Sequence, residues 1–298
     1  MNGIINVYKE AGYTSFDVVA KMRGILKTRK IGHTGTLDPA ATGVLPVCAG
    51  NATKAAEFLA DHDKEYVAQL LLGVTTDTLD TTGQVLSRRP VDCREEEVHD
   101  AIFSFLGVSE QIPPMYSAVK VNGKRLYELA RAGKEVERTP RSIEITELEI
   151  LSMNLPVVCF RVVCSKGTYI RSLCQDIGEK LQCGGCMQSL ERTRVGAFDK
   201  STAVTLDELE RHRDAGTLSD IVLGVDQIFT QYPAVTLKTD FSQIADNGNK
   251  LRTKMLMEPF PFSDGMHVRL YGGDGRFYGV YVYLGDEDLL KPRKFFPA

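Results

Sequence analysis

Three stretches of alternating polar and apolar residues constrain this chain most. Residues 64–72, 144–151 and 157–164 each read as a strand with one face turned to a core, since successive side chains of a strand point to opposite faces. A shorter strand is expected over 3–7. Helical spacing separates these segments. Phe16, Val19, Met22 and Ile25 mark a helix over 16–26 with Ser15 as its N-cap, and residues 53–59, 95–105 and 170–181 also read as helical. The elements follow no regular strand–helix–strand rhythm, which predicts an α+β fold with a mixed, largely antiparallel sheet. Near Tyr232-Pro233 the texture changes to short strands and turns, with Asn247-Gly248, Gly272-Gly273, Asp274-Gly275 and a strand-like run over 276–283. A small all-β domain over 231–298 is therefore expected behind a larger one over 1–230.

Composition narrows the class of protein. There is no run of about 18 apolar residues, so no membrane span is expected. The first residues lack the basic and apolar regions of a signal peptide, and the seven cysteines are irregularly spaced. Both features suit a cytoplasmic protein with reduced thiols. The spacing of Cys183 and Cys186 is open to zinc or redox use, but no second pair has similar spacing. A net charge of −3 says nothing for nucleic acid, although a local basic surface can exist on an acidic protein. Such a surface is available at 113–142. The segment opens with Pro113-Pro114, and residues 120–141 set seven basic residues against three acids, with Tyr116 and Tyr127 nearby. It reads equally as a nucleic-acid contact or a solvated helical hairpin. The basic tail of the 16–26 helix, with Lys21, Arg23, Lys27, Arg29 and Lys30, is likewise a solvated face or a phosphate-facing one.

The most informative loop is Gly32-His33-Thr34-Gly35-Thr36-Leu37-Asp38-Pro39-Ala40-Ala41-Thr42-Gly43-Val44-Leu45-Pro46, within a stretch over 32–50 read as loop. It presents one carboxylate and one imidazole on a glycine-rich backbone. Pro39 pushes Asp38 out of the helical region, and glycines admit a large ligand. The Gly-Lys-Ser/Thr ending of a phosphate loop is missing, and His33 and Asp38 have no third metal ligand close by. A turn capped by Asp38 is the plain alternative.

This loop resembles the catalytic motif of the TruB family of pseudouridine synthases. Further matches follow in order: residues 6–15, Asp63-Lys64-Glu65-Tyr66, Pro113 to Lys120, Ser165-Lys166-Gly167-Thr168-Tyr169-Ile170-Arg171, and Leu190-Glu191-Arg192-Thr193. The likeness covers residues 3 to about 230. More weakly, the C-terminal part resembles a PUA-type RNA-binding domain.

The resemblance implies isomerisation of uridine 55 in the T loop of transfer RNA on a flipped-out base. Asp38 would be the nucleophile, and Arg171 would hold it ionised and oriented. Tyr169 would move a proton or serve as a positioner. Tyr66 would stack on the uracil, although a half-buried strand tyrosine is its ordinary reading. His33 would fill space beside the displaced base or be a satisfied structural histidine. Leu190 would form an apolar floor or simply belong to the core. Asp80 would contact RNA or hydrogen-bond within its own loop, and Lys9 and Lys120 would touch phosphate or support the site. Residues 113–142 would be an RNA-gripping insertion, and Cys183 and Cys186 two incidental thiols at a turn. The reaction asks for no metal and no cofactor. Its partner would be the T arm of transfer RNA, with no obligate protein partner implied. Two other readings share the same residues: an RNA-folding chaperone, and a hydrolase using His33 and Asp38.

Overall fold

The computed structural model describes residues 1–121 and 123–296; the last two residues of the expected C-terminal domain, 297 and 298, lie outside the described residues. The chain enters through β1 (Gly3–Lys9), nearly all of it buried, and turns into α1 (Ser15–Leu26). Thr14, and not Ser15, caps this helix. Its hydroxyl accepts from the Asp17 amide, and the Asp17 carboxylate accepts from the Thr14 amide in return. Ser15 is thereby the first helical residue, and its hydroxyl is left to hold another segment.

The stretch over 32–50 is not one loop. It contains the end of β2 (Ile31–His33) and the whole of β3 (Thr42–Ala49), of whose eight residues seven are buried. A strand covered on both faces loses its polar/apolar alternation, and Gly43 and Pro46 imitate loop chemistry. A 3-10 turn over 50–55 then precedes the short α2 (Ala56–Ala60), so the helix expected over 53–59 is α-helical only in its second half.

The alternation over 64–72 is borne out as β4 (Lys64–Leu72), which switches between buried and half-buried at every step. Next come the hairpin of β5 (Val74–Thr76) and β6 (Val85–Arg88), then α3 (Glu95–Phe103) and β7 (Gly107–Gln111). The basic segment holds β8 (Lys120–Val121), β9 (Lys124–Arg125) and α4 (Leu126–Arg131), which is a small hairpin of strands plus one helix rather than a helical hairpin. The larger unit closes with β10 (Arg141–Asn154), β11 (Val157–Cys164), α5 (Ile170–Lys180), β12 (Gly185–Val195), β13 (Phe198–Asp199), α6 (Leu206–Ala215) and β14 (Val222–Leu223). The C-terminal unit comprises β15 (Ala234–Leu237), α7 (Ser242–Asp246), β16 (Leu251–Arg252), β17 (His267–Gly272), β18 (Phe277–Leu284) and β19 (Leu289–Phe295).

One sheet runs in the order β14-β1-β3-β12-β4-β11-β10-β7, with β2 beside β3 and β13 beside β12. Its pairs are antiparallel except one, β3 with β12, which joins two antiparallel halves. At that joint Gly43 has φ 108°, and a Cβ built on it would lie 2.1 Å from the Arg192 carbonyl oxygen. Only a residue without a side chain lets the two strands approach so closely. Helices α3 and α5 pack on the half built from β4, β10 and β11, and α1 and α6 on the half built from β1 and β3.

The C-terminal strands form a second sheet, β15-β17-β18-β19-β16, with its own core around Leu237, Val268, Leu270 and Tyr281. This β-rich unit is PUA-like, as expected. It is sewn to the first by an apolar seam in which Ile4, Val44, Phe229, Val280 and Phe296 share one cluster. Phe229 sits at its centre, 5.2 Å from Phe58 and about 6 Å from Tyr232, Phe277 and Phe296, centroid to centroid.

Candidate active site

The Asp38 loop hangs between β2 and β3, held by the stretch over residues 9–15 and by Arg192 on β12. The Leu37 amide donates to the Ser15 hydroxyl at 2.9 Å, from the first turn of α1. The Gly12 amide donates to the Pro39 carbonyl at 2.8 Å, and the Ala41 amide to the Asp38 carbonyl at 3.1 Å, closing the turn. Lys9, on β1, is fully buried; its ammonium donates to the carbonyls of Pro39, Tyr13 and Glu10. Burial pulls its pKa down to about 8. These bonds favour the reading of Lys9 as a support of the loop from beneath. On the far side the buried Arg192 of β12 donates to the carbonyls of Val44 at 2.7 Å and Gly35 at 3.2 Å.

Asp38 itself meets Arg171 side-on. Nε lies 2.9 Å from Oδ2 and Nη2 lies 3.2 Å from Oδ1, the two-point geometry that fixes a carboxylate in orientation as well as charge. Arg171 is 6% exposed, against about a third (34%) for the Asp38 side chain, so the pair is anchored from inside and open on the carboxylate's side. The guanidinium also donates to the carbonyls of Thr78 at 3.1 Å and Tyr116 at 2.8 Å. Burial raises the Asp38 carboxyl above its ordinary value; Arg171 opposes this, Asp80 adds to it, and Lys9 opposes it again. The arginine thus limits a rise that burial dominates.

Asp80 points into its own loop. Its Oδ1 accepts from the Thr78 hydroxyl at 2.7 Å and from the Thr82 amide at 3.0 Å, which favours the local reading of this residue. Tyr169 caps α5, one residue before Ile170 and two before Arg171. Its amide donates to Gln111 Oε1 at 2.8 Å, and its carbonyl accepts from Gln111 Nε2 at 3.1 Å. Tyr66 on β4 is 8% exposed and shares a cluster with Leu37, Ala41 and, at its margin, Leu190. Its hydroxyl pKa is raised by burial, opposed by the Arg192 cation. His33 ends β2, its ring edge-on to Phe16 with centroids 5.4 Å apart. Burial and then the Arg192 cation lower its pKa, which favours the neutral ring. Lys120 lies exposed on β8 and is not part of the bonded network around Asp38.

Eight of the nine residues expected at the site thus lie on the elements that converge on this loop; Lys120 is the exception. Three residues that hold the group together were not among them: Ser15, Gln111 and Arg192. Arg192 had a visible signal in the Leu190-Glu191-Arg192-Thr193 motif. Gln111 carries none, because its clamp spans 58 residues of sequence.

A folded carboxylate–guanidinium pair on a mixed sheet can be compared with known proteins. Residues 23–170 match the sequence model described as "TruB family pseudouridylate synthase (N terminal domain)", and residues 171–230 match "tRNA pseudouridylate synthase B C-terminal domain". By class, then, this is a pseudouridylate synthase, an isomerase. A protein named tRNA pseudouridine synthase B from Lachnoclostridium phytofermentans is 49% identical over 99% of this chain and all of its own length. Another of that name from Clostridium novyi is 46% identical over 94% of this chain and 95% of its own. The chain belongs to the TruB family. A solved structure of an H/ACA RNP bound to a substrate RNA containing 2′-deoxyuridine aligns with TM-score 0.74 and 25% identity, covering 99% of this chain and 85% of that one. A Cbf5-Nop10-Gar1 complex aligns at 0.73 and 27%, covering 99% and 85%.

Proposed function

We propose that this protein isomerises uridine 55 in the T loop of transfer RNA to pseudouridine, with Asp38 as the nucleophile. The observation that carries this is the two-point hold of a partly open Asp38 by a buried Arg171. A carboxylate is a weak nucleophile unless it is kept ionised and aimed, and here both are done by one side chain. The relatives named tRNA pseudouridine synthase B support the substrate.

The glycosidic bond of a flipped-out uridine breaks, the uracil turns, and the base rejoins the ribose through C5. Tyr66 and Leu190 form the apolar bed for the uracil, and Tyr169 stands beside Arg171 as proton carrier or positioner. His33 occupies the space vacated by the base. The basic segment within 113–142 and the domain expected over 231–298 grip the RNA, and residues 1–230 form the catalytic domain. The protein works in the cytoplasm, where its substrate is.

Tritium release from RNA labelled at uridine C5 tests this on a T-arm stem-loop. Wild type releases tritium and Asp38→Asn does not, while both bind the RNA. Free uracil or cleaved RNA among the products would sink the assignment.

A further inference from the structure

One large aromatic near the site has no part in the machinery above. Phe16 is 61% exposed, against the usual burial of phenylalanine. Its position is fixed and not incidental. The preceding residue, Ser15, is bonded to the Leu37 amide, one residue before Asp38, and the Phe16 ring stands edge-on against His33. The first turn of α1 therefore presents Phe16 at the mouth of the Asp38 loop.

The same face of α1 continues away from the site. Phe16, Ala20 and Arg23 follow the i, i+4, i+7 spacing that puts side chains on one stripe, Lys27 caps the end of the helix just beyond them, and all four are exposed. Arg23 lies about 10 Å along the axis from Phe16, and Lys27, the left-handed C-cap, ends the helix one turn further on, together the span of a few nucleotides. Arg23 Nη2 donates a long bond, 3.5 Å, to the Ile31 carbonyl, and the two neighbouring charges are engaged off the stripe. Asp17 is engaged in the Thr14 cap, and Lys21 lies over the Tyr13 ring, 4.4 Å from its centroid.

We infer that this stripe is a second RNA contact: an unpaired nucleobase stacks on Phe16, and the phosphates of its own strand run along Arg23 and Lys27. An exposed aromatic beside a row of cations is the recurring surface for single-stranded nucleic acid, the ring taking a base and the cations tracking the backbone. The contact rests on the RNA-modifying function proposed above and extends its substrate site from the reacting uridine to a neighbouring nucleotide of the loop. Phe16 acts as a positioning residue, setting how the loop enters.

The test measures binding of a fluorescein-labelled T-arm stem-loop in the Asp38→Asn background, which prevents turnover. Phe16→Ala and Phe16→Leu weaken binding roughly 5- to 150-fold, the range of base stacking on an aromatic ring, and Phe16→Tyr stays within about twofold. Arg23→Gln with Lys27→Gln lowers the slope of log affinity against log salt by about 1.4. Unfolding midpoints stay unchanged, since these side chains are exposed. If Phe16→Ala binds as wild type while wild type modifies the RNA, this inference alone falls. If wild type neither binds nor modifies it, the functional reading falls and takes this one with it. An unchanged salt slope in the double variant removes the phosphate half.

Discussion

Arg171 ties together three segments that the chain brings in from far apart: the Asp38 loop, the carbonyl of Thr78 and the carbonyl of Tyr116. Its rigid fork explains why lysine is no substitute, since an ammonium offers a point charge where two parallel bonds are needed. Arg171→Lys leaves the carboxylate charged but misaimed, and kcat is expected to fall about 100-fold, the cost of a small misplacement at a reacting atom. The variant also loses part of the largest influence lowering the Asp38 pKa, which burial already holds above its ordinary value. Activity that needs the ionised form disappears as pH falls through that pKa. The acid limb of kcat/KM should therefore move to higher pH in Arg171→Lys, read from tritium release across the acid range. An unmoved limb would mean that Asp38 is not the group titrating. The roles proposed for single residues rest on likeness to a family. Nothing in the spacing of Asp38 and Arg171 brings residues 133 positions apart into contact.

At the level of elements, legibility followed the pattern of exposure. β4 and β11 were readable to their ends because each turns one face to a core, and α3 and α5 to within two residues of their C-terminal ends because their apolar residues recur at helical spacing. β3 was unreadable for the opposite reason: with seven of eight residues buried it has no polar face, and its Gly43 and Pro46 carry the composition of a loop. The α1 cap was misplaced by one residue because Thr14 and Ser15 are both good caps, and the deciding partner, Asp17, fits only Thr14. The close β3–β12 joint yields its own prediction. Gly43→Ala places a methyl against the Arg192 backbone at a φ that alanine resists, so the strands must part. Loss of about 3 kcal/mol is expected, at the upper end of overpacking, measured by urea unfolding. Wild-type stability in that variant would show that the joint can relax.

Across the whole molecule, buried ionisable groups set an upper pH limit. Six thiols have raised pKa values from burial, Cys48 and Cys164 to about 12 and Cys186 to about 11, with Cys159, Cys174 and Cys183 moved the same way. Above about pH 9 the unfolded chain forms thiolates that the folded one does not, so folding loses ground as pH rises. Lys9 and Lys64, both drawn down to about 8 by burial, act oppositely: the folded form sheds protons first, and stability gains between about pH 8 and the ordinary lysine value. Six groups against two decide the sign. The thiols act only above about pH 9, so the urea midpoint should drop between about pH 9 and about pH 10, and a rising midpoint there would show the thiols to be better solvated than their packing indicates.

The seam between the two sheets also bears on how the protein is made. Ile4 of β1 and Phe296 just beyond β19 belong to one cluster. On the ribosome, where chains emerge from the amino end and early domains begin to fold first, this patch stays open until residue 296 has been synthesised. β1 is thereby among the last strands to be sealed. Nascent chains arrested before that point carry an exposed aromatic surface around Phe229, the kind that chaperones hold.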